Sequence, residues 1–482
     1  MRTHSALGAR ELPVADAFDS GIAAEHSLGE FHTPANGPAA GRWSALRSLA
    51  AAVLFVVVAM AAVMASAQST LYWDTNGTAD GSGAATGTWG TSNFWNTDPT
   101  GGAGGAFQTA TTSADNLFIS AGTNGTAGTI TVDTTQAANS ITFRDNVSNT
   151  ISGGTAINLG STTNAGIFMA SGVNSTNTVS TPLVLGGNVS FQNLGNAAAL
   201  NVSGNITGTG NIAITSNGVG STVPLGWSGS TLNNAGSISY SGTSFSRTVI
   251  NPVVGSNITG ITSNSNAGNF AIGNNITVNS AGTTLTNNGI QALTIRNFSN
   301  SGQTVSGTGD LILQSNSPYS IPMSIDFNGN DQNITINHTG AITNSGTGLG
   351  GVRVDAQIAT NVTAINQNSA TSNLYLLNTI SRPGAGAVTQ TNNTFTAPVN
   401  INAGILYSGY TNALTTSGTI TFRGGTLMYG AASATDLTTK MTTDGTSPYS
   451  LDTNGVGVTV AALAASGTSG LNKFGPGTLT LT

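Results

Sequence analysis

From about residue 68 to the end of the chain, apolar and polar side chains alternate in short runs, among them Asn205-Ile206-Thr207, Asn211-Ile212-Ala213-Ile214, Asn275-Ile276-Thr277-Val278 and Asn333-Ile334-Thr335-Ile336. A period of two buries one side of an extended segment, so each run predicts a strand of about three to five residues. The Gly, Asn and Ser between runs supply the turns, because Gly and Asn tolerate positive φ. Long helices are disfavoured, since Gly, Thr, Asn and Ser dominate while Glu and Lys are nearly absent beyond the first fifty positions. Many short strands with no helices between them leave a sandwich, a propeller or a β-helix.

Internal repetition decides among the three. The signature Gly-x-Gly-x-(Ile/Leu)-x-(Ile/Leu) recurs as GTGNIAI from Gly208, GTGDLIL from Gly307 and GPGTLTL from Gly475. Related units are GTITV from Gly128, GTITF from Gly418 and GGTLMY from Gly424, the last two only a few residues apart. Close reuse of one turn-then-strand unit predicts an all-β, right-handed parallel β-helix, in which each coil pairs with the one below at about 4.8 Å. With roughly 20 to 25 residues per coil, the chain beyond position 67 predicts about 17 to 20 coils and a rod of roughly 80 to 95 Å.

Composition narrows the chemistry. Only 6% of the chain is charged, 38% is hydrophobic, the net charge is -6 and there is no cysteine. Disulfides and thiolate sites are thereby excluded, and with no basic stripe nucleic acid is not an expected partner. Near the amino terminus Arg42 and Arg47 precede the apolar run from Leu49 to Met64 and then the triplet Ala65-Ser66-Ala67, the pattern of a signal peptide with cleavage between Ala67 and Gln68. An uncleaved membrane anchor is the alternative, given the length of the run. Residues 1–67 are read as leader. Beyond them every acid is Asp and His338 is the sole imidazole, a poor kit for acid–base work.

The stretch LNKFGPGTLTLT from Leu471 to Thr482 resembles the autotransporter-associated β-strand repeat, also called the passenger-associated transport repeat. Gly470, Leu471, Lys473, Gly475, Gly477, Thr478, Leu479 and Leu481 fall on that family's pattern in order. Residues 395–429 are similar to its Asn-Ala-Gly turn and Gly-Gly-Thr-Leu strand, and Tyr72-Trp73-Asp74, Thr88-Trp89 and Trp95-Asn96 resemble its aromatic opening block. The resemblance implies export, a β-helical passenger, a place on the bacterial cell surface, outer membrane or outside the cell, and no single activity. The expected organisation is a leader at 1–67, an aromatic cap and first coils at 68–125, degenerate coils at 126–390 and motif-bearing coils at 391–482. The family's membrane β-barrel translocator does not follow the motif, which makes the chain a fragment or a cargo of another route.

The expected role is a structural stalk or display scaffold, with an adhesin for glycans or neighbouring cells as the alternative and a polysaccharide-degrading β-helix enzyme as the second. Trp73, Trp89 and Trp95 form either an amino-terminal cap or a glycan platform; the stretch from Leu374 to Pro383 is a further candidate patch. Asp326, Asn328, Asn330 and Asp331 offer oxygen ligands, but the spacing fails the EF-hand pattern, so a turn is expected and no metal. His338 stands apart from any group that would orient it as a base and reads as a turn or ladder residue. No adjacent Asp pair suggests hydrolysis, although coil-to-coil proximity of Asp310, Asp326 and Asp331 is not readable from sequence. No catalytic residue and no cofactor are assigned; the partners expected are cell-surface glycans or an outer-membrane translocator.

Overall fold

The computed structural model describes residues 68–160, 162–226, 230–296, 302–319, 323–326, 334–377, 392–410, 412–432, 436–461, 463 and 470–482. The chain divides into two units, Met1–Ala65 and Ser66–Thr482, and the described residues belong to the second. The Leu49–Met64 run, Ala67, and the run from Asn328 to Asp331 therefore lie outside them, as do residues 378–383 of the second candidate patch.

The second unit is a parallel β-solenoid of about 14 turns. One coil illustrates all: Val189–Asn193 lies on a first face, Leu200–Val202 on a second and Ile206–Gly208 on a third, after which Ile212–Ser216 returns to pair in register with Val189–Asn193. The third-face stack runs through ten strands, from Thr135–Ala138 to Gln357–Ile358. A single one-turn 3-10 helix, Thr438–Lys440, is the helical element among the described residues. Ladders cross both internal boundaries expected from sequence, at Leu117↔Ile141 and Ile365↔Val399, with no change of architecture.

Inward positions alternate with outward ones, and the inward set is Ile, Val, Leu and Phe stacked on like residues. Ile141, Ile167, Phe191 and Ile214 form one such column, all fully buried. Burying each such side chain contributes about 1.5–3 kcal/mol, and because every coil touches only its neighbours the core grows by one layer per turn.

Some coils keep to the 20 to 25 residues expected and others are longer. The step is 24 residues at Asn116↔Ser140 and 21 at Val399↔Ile420, but 31 at Leu311↔Ile342, 34 at Ile365↔Val399 and 46 at Thr70↔Asn116. The 46-residue step holds Gly87–Trp89 and the antiparallel pair Trp95–Asn96 and Phe107–Gln108, while the 31- and 34-residue steps include residues outside those described; in every case the ladder resumes. About 14 turns at about 4.8 Å give a stack of about 67 Å, shorter than the rod expected from 17 to 20 coils.

The interior is not wholly apolar. Seven first-face strands between Val189–Asn193 and Ala364–Gln367 end on a buried Asn, Ser or Gln: Asn193, Ser216, Ser263, Asn287, Ser315, Asn344 and Gln367, of which Asn193–Ser216, Ser263–Asn287–Ser315 and Asn344–Gln367 are register partners. Asn193 Nδ2 donates to Ala198 O and Thr222 O, each at 3.0 Å, and Asn344 Nδ2 donates to Gln367 Oε1 at 2.7 Å and Ser372 O at 2.6 Å. These amides add a second bond to corner carbonyls: Ala198 O and Thr222 O also accept the backbone N–H of Thr222 and Leu200, and Ser372 O also accepts from Gln367 Nε2. The Asn287 side-chain amide and the hydroxyls of Ser263 and Ser315 have no hydrogen-bond partner among the described residues.

Candidate functional site

The first turn is the most elaborate part of the solenoid. Thr70–Trp73 pairs in parallel with Asn116–Ile119 on one side, and on its other side with the antiparallel strand Trp95–Asn96, itself paired with Phe107–Gln108. The antiparallel pair covers the edge that the first strand would otherwise present, the usual protection against edge-to-edge association.

Alternation along Thr70–Trp73 turns Leu71 and Trp73 inward, and the hairpin brings Trp95 onto the same interior. Trp73 and Trp95 meet edge to face with centroids 4.9 Å apart at 81°, Trp89 and Trp95 at 5.3 Å and 73°, and Phe94 joins Trp73 at 5.6 Å. All three indoles are buried, so none of these rings offers a face to a sugar. Trp73 Nε1 donates to Thr86 O at 3.1 Å and Trp89 Nε1 to Thr111 Oγ1 at 3.0 Å; Trp95 Nε1 has no partner among the described residues. Asp74, buried beside them, accepts from Asn96 Nδ2 at 2.8 Å, and burial raises its pKa above the ordinary carboxylate value.

Asp355 pairs with Arg353 at 3.4 Å, and several other described carboxylates accept backbone N–H groups. Asp98 accepts from Thr100 N at 2.8 Å, and Asp444 accepts from Ser447 N at 2.7 Å and Thr446 N at 2.9 Å, bonds that hold both below the ordinary range, Asp444 at about 2. Asp310 accepts from Ala341 N at 2.7 Å, one coil on. Of the set Asp310, Asp326 and Asp331, only Asp310 has described side-chain surroundings. No group of three or more His, Cys, Asp or Glu that could hold a metal occurs among the described residues.

His338 is fully buried at the corner after Ile334–Ile336. Its Nε2 lies 3.3 Å from Ala341 O, its Nδ1 has no partner among the described residues, and burial pushes its pKa below 6.5 despite Ala341 O and the nearby Asp310. The unfolded chain takes up a proton near pH 6.5 while the folded chain resists it, so the imidazole's contribution to stability is present above that pH and lost as pH falls toward the folded pKa. Thermal unfolding at pH 7 and pH 5 is expected to show a loss, at most about 1.4 kcal/mol per pH unit, that a His338→Gln variant lacks. Equal pH slopes in the two proteins refute it.

The chain matches no family model, no curated protein and no solved structure. The residues that resemble the repeat motif are nonetheless well placed by geometry. Leu471–Phe474 pairs with Tyr449–Asp452, Leu479–Leu481 pairs with Val458–Val460, and Gly475 and Gly477 at positive φ form the corner between them. Lys473 shares the register of the buried Leu451 but is exposed, and its Nζ donates to Gly475 O at 2.5 Å. In the copies at Gly208 and Gly307 the same signature instead joins the third face to the first. It therefore marks a corner type and not a fixed phase of the coil.

Two outward aromatic groups were read in the sequence only through one member each, Tyr72 in the opening block and Tyr375 in the Leu374–Pro383 patch, without their partners. Tyr72 and Phe118 stack at 5.2 Å and 23° on the first face, with the Arg144 guanidinium 5.1 Å and 5.6 Å from the two ring centroids. On the second face Tyr375 and Tyr407 are register partners with centroids 5.5 Å apart. A sequence signal existed for both, since an aromatic residue flanked by inward Leu in Leu71-Tyr72-Trp73 or Leu374-Tyr375-Leu376 must face out.

Proposed function

We propose that the chain is an exported passenger whose solenoid serves as a structural stalk or display scaffold. The observation that carries this reading is the first-face parallel ladder, continuous from Thr70–Trp73 to Met441–Thr443, with an interior filled by its own side chains: such a body holds its ends apart and offers a long, sparsely charged outer surface. The signal pattern before Gln68 and the resemblance at Gly470–Leu481 support export as a passenger.

The test is to express the full chain in a Gram-negative host, treat intact cells with protease, sequence the amino terminus of what is released, and screen the purified protein on acidic and neutral polysaccharides. Released protein starting at Gln68, without turnover of any polysaccharide, is the expected result. Retention in the cytosol overturns export, and turnover overturns the stalk.

The adhesin is the second reading, favoured by Tyr375 and Tyr407. This half-buried ring pair falls at the second candidate patch, and exposed aromatic faces suit stacking on a sugar. Glycan-array binding lost in the Tyr375→Ser, Tyr407→Ser double variant would select it.

A further inference from the structure

Five of the corners that follow first-face strands are turned inside out. Four of those strands end inside on a buried amide or hydroxyl and one on Gly242, while the outer side of the corners carries hydrocarbon: Val219 (73% exposed), Phe245 (82%), Ile290 (36%), Tyr319 (57%) and Leu349 (67%). These five are the large exposed hydrophobic residues described outside the final coil, and each lies three to five residues beyond the last inward position of its strand, respectively Ser216, Gly242, Asn287, Ser315 and Asn344. Backbone bonds between successive corners, Thr243 N to Ser216 O, Ile290 N to Ser265 O and Leu349 N to Ser317 O, stack them one above another. One coil in the series interrupts the stripe with Asn266. From Val219 to Leu349 the stripe climbs five steps, about 24 Å.

We propose that this stripe is the contact along which a second copy of the chain lies side by side with the first, running in the opposite direction. Antiparallel alignment sets Phe245 against Tyr319, Val219 against Leu349, and Ile290 against the gap at Asn266, so that large groups meet large ones and the protruding side chain meets the shorter one. A two-fold axis makes such a patch self-complementary. Charge agrees. The corner segments 217–221, 243–246, 264–269, 288–292, 316–319 and 345–351 contain no Asp, Glu, Lys or Arg, so no like charges are forced together. A parallel alignment, in contrast, would set Arg247, just past Phe245, against its own copy. Arg247 and Arg296 already oppose each other's charge within one chain, burial being the larger cause of the lowered Arg247 pKa. Each copy contributes ~500 Å² of apolar surface, about 1,000 Å² for the pair, which is the lower end for specific interfaces and implies a weak, concentration-dependent dimer.

The contact is tested by sedimentation velocity of the purified full chain over a concentration series, beside a Phe245→Ser, Tyr319→Ser double variant. These side chains are exposed, so circular dichroism and melting should match the parent. Direction is tested by disulfide formation, which the absence of native cysteine makes clean. Proteins bearing only Phe245→Cys or only Tyr319→Cys are oxidised alone and mixed. A monomer–dimer equilibrium weakened at least tenfold in the double variant, with the disulfide forming in the mixture and not in either protein alone, is expected. A monomer at every concentration, an unchanged equilibrium in the double variant, or cross-linking of Phe245→Cys to itself overturns the proposal. So does a monomer that holds an uncharged glycan through Phe245 and Tyr319.

Discussion

Replacing Trp73, Trp89 and Trp95 together by Ala is expected to unfold the first turns of the solenoid while the far turns stay folded. Each indole is buried, and truncating a buried Trp costs about 3–5 kcal/mol from lost transfer and the cavity left behind. The three rings touch one another, so the combined loss is less than the sum of the singles. Loss of Trp95 also weakens the antiparallel strand over the edge of Thr70–Trp73, opening that edge to aggregation. Hydrogen exchange is the decisive measurement. Amides of Asn116–Ile119 should lose protection, and those of Val399–Ile401 should keep it, because coils stabilise only their neighbours. Unchanged protection at Asn116–Ile119 would show that the indoles are dispensable to the first turn.

The second large effect is expected at Gly210. This residue has φ of +114°, and a Cβ placed on it would lie 2.1 Å from the carbonyl carbon and oxygen of Gly187 in the coil below. The backbone conformation alone disfavours Ala by about 1–3 kcal/mol. The overlap adds to this, since neither peptide can withdraw without parting the ladder between Val189–Asn193 and Ile212–Ser216. Gly445 serves as the control: its φ is +86°, but its Cβ would meet nothing within 4 Å. In urea unfolding Gly210→Ala should lose roughly 3 kcal/mol or more and Gly445→Ala about 1–2. Equal losses would mean that backbone conformation, and not coil-to-coil approach, sets the demand for glycine.

The strand pattern was legible because alternation is a local property: Ile206, Ile212, Ile276 and Ile334 all fall on strands with buried inward positions. Coil length was not, because a corner of any length returns the chain to the same ladder, and so a short average gave too many turns. The inward Asn and Ser were visible as terminal residues in FQN, LTN and LQS, but counting only apolar residues as interior assigned them to turns. Strand alternation turns them inside, where some, such as Asn193 and Asn344, bond corner carbonyls. The Trp cluster stood out as a group, whereas its burial depended on the hairpin Trp95–Gln108 folding back over Thr70–Trp73, a tertiary event without a period. The apolar stripe eluded single-residue reading because its members are 26 to 45 positions apart and align only once the register is known.

The unequal corners have an engineering consequence. A detour of 34 residues between Ile365 and Val399 advances the ladder by one rung, as does the step of 21 between Val399 and Ile420. Pitch is therefore set by backbone pairing alone, independent of contour length. Foreign peptides grafted at such a bend would project sideways from the shaft, spaced in multiples of one strand separation, while the rungs above and below kept their places.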